Sequence, residues 1–91
     1  MNQKRVLVSG SSRGIGRAIA LRLAHDGFAL TVHCRSRSAE AEGVVSEIVA
    51  AGGTADFLMF DVRDRTLASA LLEQTIVAKG AYYGIVCNAG I

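Results

Sequence analysis

The sequence lacks the features that mark several classes of protein. Its 91 residues include no Pro and no Trp, and aromatic residues make up only 5%. The ten Lys and Arg exceed the eight Asp and Glu by two and are dispersed, whereas nucleic-acid binding requires a clustered basic face. Only Cys34 and Cys87 are present, which is too few and too far apart for a disulfide scaffold or a metal site. We expect both thiols to be buried, in a reducing compartment, and we expect neither nucleic acid nor a metal as a ligand.

Long apolar runs are also absent. The run of Val6, Leu7 and Val8 is much shorter than the apolar region of a signal peptide, and no stretch approaches the roughly 18 residues of a membrane span. We therefore expect a cytoplasmic protein that does not associate with membranes. With 51% hydrophobic residues, the composition is that of an ordinary globular protein, and the length allows one domain over residues 1–91.

Short apolar runs alternate with longer segments of helical periodicity. The runs predict strands at residues 5–9, 29–34, 55–60 and 83–87. Helices are predicted over residues 14–25 and 39–51, and a third helix can be capped by Asp64. The expected apolar faces are formed by Ile15, Ile19 and Leu23 in the first helix, Val44, Val45, Ile48 and Val49 in the second, and Leu67, Leu71, Leu72 and Ile76 in the third.

The order βαβαβαβ predicts a parallel sheet with helical crossovers. Right-handed crossovers then favour an α/β, Rossmann-like, doubly wound sheet of four strands in the order 3-2-1-4. In that order a topological switch point lies between strands 1 and 4, where open α/β sheets bind their ligands.

A glycine-rich turn follows the first strand. Residues 9–16 read Ser-Gly-Ser-Ser-Arg-Gly-Ile-Gly and open directly into the first helix. Gly10 allows the tight turn, Gly14 allows a pyrophosphate to approach the backbone, and Gly16 allows the helix to pack close to the sheet. Such glycines can also serve turn geometry alone, but the strand, turn and helix context favours dinucleotide binding. No Gly-Lys-Ser or Gly-Lys-Thr follows, which excludes a phosphate loop of the nucleoside-triphosphatase type.

Three motifs resemble the short-chain dehydrogenase/reductase family. Residues 9–16 are similar to its T-G-x-x-x-G-x-G signature, with Ser in place of the leading Thr, and residues 61–62 match its adenine-contacting Asp-Val. Residues 88–90 match its N-A-G motif, although Cys87 replaces the first Asn of the commoner N-N-A-G. Within the family, residues 13–20 are most similar to bacterial reductases of 3-oxoacyl thioesters on acyl carrier protein. The resemblance implies cofactor contacts from Gly10, Ser12, Arg13, Gly14, Ile15, Gly16, Asp61, Val62, Asn88, Ala89 and Gly90.

The end of the second strand indicates which nicotinamide cofactor binds. An acidic residue there would bind the ribose 2′-hydroxyl of NAD, whereas Arg accommodates the 2′-phosphate of NADP. The sequence has Arg35, Ser36 and Arg37 at this point and no acidic residue between Asp26 and Glu40. The arginines could instead be solvated loop charges. We expect NADP(H), bound through Arg35 and Ser36, with Arg13 added by the resemblance.

The resemblance further implies a catalytic tetrad of Asn, Ser, Tyr and Lys, with Tyr and Lys spaced Y-x-x-x-K. Neither Tyr82 nor Tyr83 has a Lys four residues later, and both precede the fourth strand. His25 and His33 lack nearby carboxylates or thiols at ligand spacing. We therefore expect no catalytic residue and no metal ligand in these 91 residues, and we expect them to be the inactive N-terminal part of a longer reductase.

Two functions remain open from the sequence. The chain is either the NADPH-binding portion of a reductase that uses acyl carrier protein as partner, or a non-catalytic nucleotide-sensing or interaction module. A methyltransferase-like fold is disfavoured because those proteins require an acid where Arg35 stands. The apolar edge formed by Ile85, Val86 and Cys87 predicts a homo-oligomer, and the alternative is a monomer whose own terminus masks that edge.

Overall fold

A computed structural model describes residues 3–36 and 38–87. The elements are β1 (Arg5–Val8), α1 (Gly14–His25), β2 (Ala29–Cys34), α2 (Ser38–Ala50), β3 (Thr54–Met59), α3 (Arg65–Lys79) and β4 (Gly84–Val86). The predicted bounds of α1 and β2 are confirmed, and the other compared bounds differ from the prediction by one residue at one end or both. None of the described helices is long and apolar enough to cross a membrane.

The four strands form one parallel sheet in the order β3-β2-β1-β4, which confirms the predicted topology. Val8 pairs with Val32 on one side and with Val86 on the other, while Cys34 pairs with Met59. All strands therefore end at the same edge of the sheet, and the loops that follow them converge there.

Helices lie on both faces of the sheet. Val8 and Val32 are fully buried and pack with Val44 and Ile48 of α2, in a core that also includes Ala20 of α1. The core side chains alternate along β1 and β2 because successive residues of a strand point to opposite faces. The residues between these core positions point to the opposite face of the sheet.

The other face carries α3. Arg5 and Thr31 point to this side, and the Arg5 Nη2 donates to Oγ1 of Thr75 in α3 over 3.4 Å. Asp64 caps α3 as predicted, because its carboxylate accepts a hydrogen bond from the Leu67 N–H over 3.1 Å.

Four of the apolar side chains that the periodicity places on core-facing sides are exposed, and they are distributed over all three helices. In α1 the buried stripe consists of Gly16 and Ala20, and Ile19 and Leu23 of the predicted face are partly buried against the core. Only Ile15 of the predicted face is exposed, at 72%. Small residues take that stripe because they let the helix approach the sheet closely. Val49 of α2 is also exposed, as are Leu67 and Ile76 of α3.

The two thiols also differ from each other. Cys34 is buried in the core as expected, but Cys87 is exposed, so the prediction for Cys87 was wrong. Cys87 follows β4, which is an edge strand of the described sheet and has a partner only on the β1 side. A residue at that edge lacks the covering that two neighbouring strands give Cys34.

Candidate functional site

The loop between β1 and α1 has the backbone geometry that its glycines predict. Gly10 and Gly14 both have φ of 63°, in the left-handed region that favours glycine. Arg13 is extended and precedes the helix, its side chain makes no capping hydrogen bond, and the first turn of α1 contains no acidic residue. The positive end of the α1 dipole is therefore not neutralised by a side chain of its own first turn.

Gly14 lies beside open space. A Cβ atom built at this residue would meet no atom of residues 3–36 and 38–87 within 4 Å. The space above the Gly14 backbone is therefore open to a ligand on the side of the described residues and would be partly filled by any larger residue. A phosphate that approaches a helix N-terminus needs this kind of access to backbone N–H groups. The loop therefore fits a dinucleotide pyrophosphate.

Ser11 and His33 tie the loop to the neighbouring strand. The buried Ser11 hydroxyl donates to the Val8 carbonyl over 2.6 Å and accepts from the His33 N–H over 2.9 Å, while the Ser11 N–H donates to the His33 carbonyl over 3.0 Å. The Gly10 N–H donates to Nδ1 of the His33 ring over 2.9 Å. The loop is consequently held from β2 as well as from its own strand.

His33 also reaches the end of β3. Its Nε2 lies 2.8 Å from the Phe60 carbonyl oxygen, and the two rings are 4.3 Å apart between centroids. Sequence reasoning gave His33 no part in the site. The signal that could have found it is a polar residue near the end of a strand that should be buried on both faces, on the strand next to the glycine turn.

A cluster of three charged residues lies beyond the ends of β2 and β3. Asp61 Oδ2 lies 3.4 Å from Nε of Arg35 and 2.8 Å from Nη2 of Arg63, and Asp61 Oδ1 accepts from the Arg63 N–H over 2.9 Å. Hydrogen bonds from Arg63 hold the pKa of the Asp61 carboxyl well below its usual range, and the charge of Arg35 adds to this. The Asp61 carboxylate therefore stays ionised, and it forms ion pairs with the guanidinium groups of both Arg35 and Arg63. Sequence reasoning identified Asp61 and Arg35 but missed Arg63.

The structure brings the predicted site residues to one edge of the sheet wherever it describes them. The end of β1 contributes Gly10, Ser12, Arg13, Gly14, Ile15 and Gly16, the end of β2 contributes Arg35 and Ser36, and the end of β3 contributes Asp61 and Val62. The hydrogen bond from Gly10 to His33 joins the end of β1 to β2, and the ion pair of Arg35 with Asp61 joins the ends of β2 and β3. Arg37, Asn88, Ala89 and Gly90 lie outside the described residues.

The arginines near this edge are accessible. The Arg35 side chain is 66% exposed, and Arg13 and Ser36 are exposed as well. Ile15, which was expected in the helix core, and Val62 are exposed apolar side chains in the same region. Exposed cations beside an open helix N-terminus suit an anionic ligand with an apolar part.

Tyr82 and Tyr83 lie at the opposite edge of the sheet. The Tyr83 N–H donates to the carbonyl of Arg5 at the start of β1 over 2.7 Å, and the Tyr82 hydroxyl donates to Oγ1 of Thr31 over 2.9 Å. Arg5 also lies over the Tyr82 ring at 4.3 Å from its centroid. Both tyrosines therefore belong to a structural network far from the glycine loop. Among residues 3–36 and 38–87, no three His, Cys, Asp or Glu side chains are grouped to hold a metal ion.

Comparison with known proteins identifies the fold and the family. The family model described as short chain dehydrogenase matches residues 4–91. Among solved structures, the chain superposes with a TM-score of 0.90 on a metagenomic short-chain oxidoreductase in complex with NADP, at 34% identity over 97% of this chain and 39% of the other. A dehydrogenase/reductase from Sinorhizobium meliloti 1021 gives a TM-score of 0.91 at 40% identity, over 100% of this chain and 36% of the other.

Several curated relatives are named as reductases. A 3-oxoacyl-[acyl-carrier-protein] reductase of Aggregatibacter actinomycetemcomitans is 54% identical over 86 residues, which cover 94% of this chain and 36% of the relative. A protein of the same name from Staphylococcus aureus (strain Mu50 / ATCC 700699) is 39% identical over 88 residues, or 97% of this chain and 36% of the relative. The chain thus spans about a third of the length of the curated relatives it matches. On the family match and these identities, the chain belongs to the short-chain dehydrogenase family of oxidoreductases.

Proposed function

We propose that this chain is the NADP(H)-binding portion of a reductase that reduces the carbonyl of a 3-oxoacyl thioester carried on acyl carrier protein. The names of two curated relatives support the substrate class, and the NADP complex of a structural relative supports the cofactor. A cytoplasmic location and acyl carrier protein as partner are parts of the same proposal.

The observation that carries the cofactor proposal is the exposed guanidinium of Arg35 at the end of β2, in the position where an NAD-dependent protein has an acidic residue. Arg35 is joined there by the exposed side chains of Ser36 and Arg13. A 2′-phosphate at this place gains charge-assisted hydrogen bonds, whereas the 2′-hydroxyl of NAD finds no carboxylate acceptor on β2.

The other site residues take roles that follow from their positions. The pyrophosphate would lie over Gly14 and the first turn of α1, where backbone N–H groups and the helix dipole favour an anion. Asp61 and Val62 would border the adenine. Asn88, Ala89 and Gly90 would border the nicotinamide side, as the family resemblance implies. When bound, NADPH supplies a hydride to the substrate carbonyl carbon, and the residues of this chain bind and orient it.

Calorimetric titration tests the cofactor proposal. The chain should bind NADPH more tightly than NADH by roughly 10- to 150-fold, the factor that corresponds to one charge-assisted hydrogen bond of about 1.5 to 3 kcal/mol. The variant Arg35→Gln should lose most of this preference. Arg35→Asp should reverse it, because a carboxylate at this position repels the 2′-phosphate and accepts from the 2′-hydroxyl.

A matched control changes the same charge elsewhere. Arg22 lies in the last turn of α1 and pairs with Asp26 over 3.2 Å, at the end of the helix away from the glycine loop. Arg22→Asp should therefore leave the preference for NADPH unchanged. Equal affinity of the unaltered chain for NADPH and NADH, or an equal effect of Arg22→Asp and Arg35→Asp, would contradict the proposal.

A further inference from the structure

His33 is a buried titratable residue that has no part in the cofactor contacts proposed above. It is only 2% exposed, and both ring nitrogens have partners, Gly10 N–H at 2.9 Å and the Phe60 carbonyl at 2.8 Å. The first partner is the first glycine of the loop. The second belongs to the residue directly before Asp61. One imidazole thus connects the ends of all three neighbouring strands, β1, β2 and β3.

The two partners define the protonation state of the ring. A backbone N–H can only donate and a carbonyl can only accept, so Nδ1 must be the unprotonated nitrogen and Nε2 must carry the hydrogen. The ring is therefore the neutral Nε2–H tautomer. A proton added to Nδ1 would face the Gly10 N–H, and two donors would then oppose each other across a distance of 2.9 Å.

The surroundings favour the neutral ring. Burial lowers the pKa of His33, and the hydrogen bond to the Phe60 carbonyl offsets part of this effect. Three segments meet at the His33 ring, namely those at the ends of β1, β2 and β3. The first charged residue after each of these strand ends is Arg13, Arg35 and Asp61, respectively, and Arg35 and Asp61 form an ion pair with each other. A charge on the ring would thus have to form in a site whose polar groups are arranged for a neutral ring.

We propose that His33 is a positioning residue of the dinucleotide site, whose neutral Nε2–H imidazole holds the Gly10 amide and with it the start of the glycine loop against the end of β3. Protonation of the ring would release the Gly10 N–H and weaken dinucleotide binding. The part of this inference that concerns the ligand rests on the proposed function, whereas the part that concerns the loop does not.

The ligand-free chain tests the hold on the loop. Long-range proton–nitrogen NMR should show His33 with hydrogen on Nε2, and amide hydrogen exchange should show protection at Gly10. Two variants distinguish the hydrogen bond of Nδ1 from that of Nε2. The amide of Asn occupies the place of Nδ1, and the amide of Gln occupies the place of Nε2. His33→Asn should keep the protection of Gly10, and His33→Gln should lose it. Circular dichroism checks that each variant is folded.

The affinity for NADPH at different pH values tests the ligand part. The 2′-phosphate of NADPH itself gains a proton at about pH 6, which changes the affinity of every variant. The quantity to compare at each pH is therefore the affinity of the unaltered chain divided by the affinity of His33→Asn. This ratio should fall as pH is lowered, within the range where both chains stay folded. The reason is that the imidazole of His33 can gain a proton, whereas the amide of an Asn at this position cannot. At pH about 7.5, His33→Gln should bind roughly 2- to 10-fold more weakly, the factor expected for one hydrogen bond.

The outcomes separate the two proposals. A ring with hydrogen on Nδ1, or equal protection of Gly10 in the unaltered chain and in folded His33→Gln, would overturn the role of His33. An affinity ratio that stays constant with pH would overturn its effect on the ligand. If the unaltered chain binds NADPH at no pH, the proposed function and the ligand part fail, and the exchange of Gly10 still decides whether His33 holds the loop.

Discussion

Replacement of Gly14 by Ala separates backbone strain from ligand access at the glycine loop. Gly14 has φ of 63°, and a Cβ built on it meets nothing within 4 Å. The substitution therefore adds no clash within the described residues. Its two consequences are the cost of a left-handed residue with a side chain, and a methyl group in the space that we propose for the pyrophosphate.

The size of each consequence can be worked out. A non-glycine residue in the left-handed region costs about 1 to 2 kcal/mol, and each 1 kcal/mol shifts Tm by roughly 4 to 8 °C in a domain of this size. Gly14→Ala should therefore lower Tm by about 4 to 16 °C. If the methyl group displaces one phosphate oxygen from a backbone N–H, affinity for NADPH should fall roughly 10- to 150-fold.

Two other glycines provide controls. Gly27 has φ of 99° and also faces open space, but it follows α1 at the opposite edge of the sheet. Gly27→Ala should lower stability by at least a similar amount and leave the affinity unchanged. Gly43 lies inside α2, has no left-handed φ and faces open space, so Gly43→Ala should raise stability by about 0.4 to 1 kcal/mol.

The assay combines thermal and denaturant unfolding, both followed by circular dichroism, with calorimetric titration of NADPH on each folded variant. The interpretation of Gly14 requires that only Gly14→Ala weakens binding. If Gly14→Ala binds NADPH as tightly as the unaltered chain, or if Gly27→Ala weakens binding as much, the pyrophosphate does not lie over Gly14.

Four further predictions concern the cap of α3, the stability contribution of His33, the edge strand β4 and catalysis. Asp64→Ala should reduce the free energy of unfolding by about 0.5 to 2 kcal/mol in urea titrations, because it removes the cap on the Leu67 N–H, while Asp64→Asn should retain most of it. The contribution of His33 to stability should be fully present above pH ~6.5 and decline below it, because burial keeps the folded ring neutral while the unfolded ring gains a proton, and urea unfolding of His33→Asn should lack this component. The exposed edge strand β4, with Ile85 55% exposed, should associate with a second copy, and light scattering that finds only the 9.6 kDa monomer would contradict this. The purified chain should show no NADPH oxidation with an acetoacetyl thioester in an absorbance assay, since no Tyr in it has a Lys four residues later.

The order of the elements and the sheet topology could be predicted from the sequence. Apolar runs and helical periodicity are local properties, so Ala29–Cys34 and Gly14–His25 were found with their bounds. The handedness of crossovers then left the order 3-2-1-4 as the favoured arrangement. The glycine loop and Arg35 were found because their positions relative to a strand end are also local.

The contacts among the strand ends were decided by the tertiary structure. The bond from Gly10 to His33 joins residues 23 positions apart, and the ion pair of Arg35 with Asp61 joins the ends of two different strands. Whether such groups meet depends on the register between neighbouring strands, which periodicity along one strand does not contain. The exposure of Ile15 was decided in the same way, because the rotation of α1 depends on how closely Gly16 and Ala20 pack against the sheet.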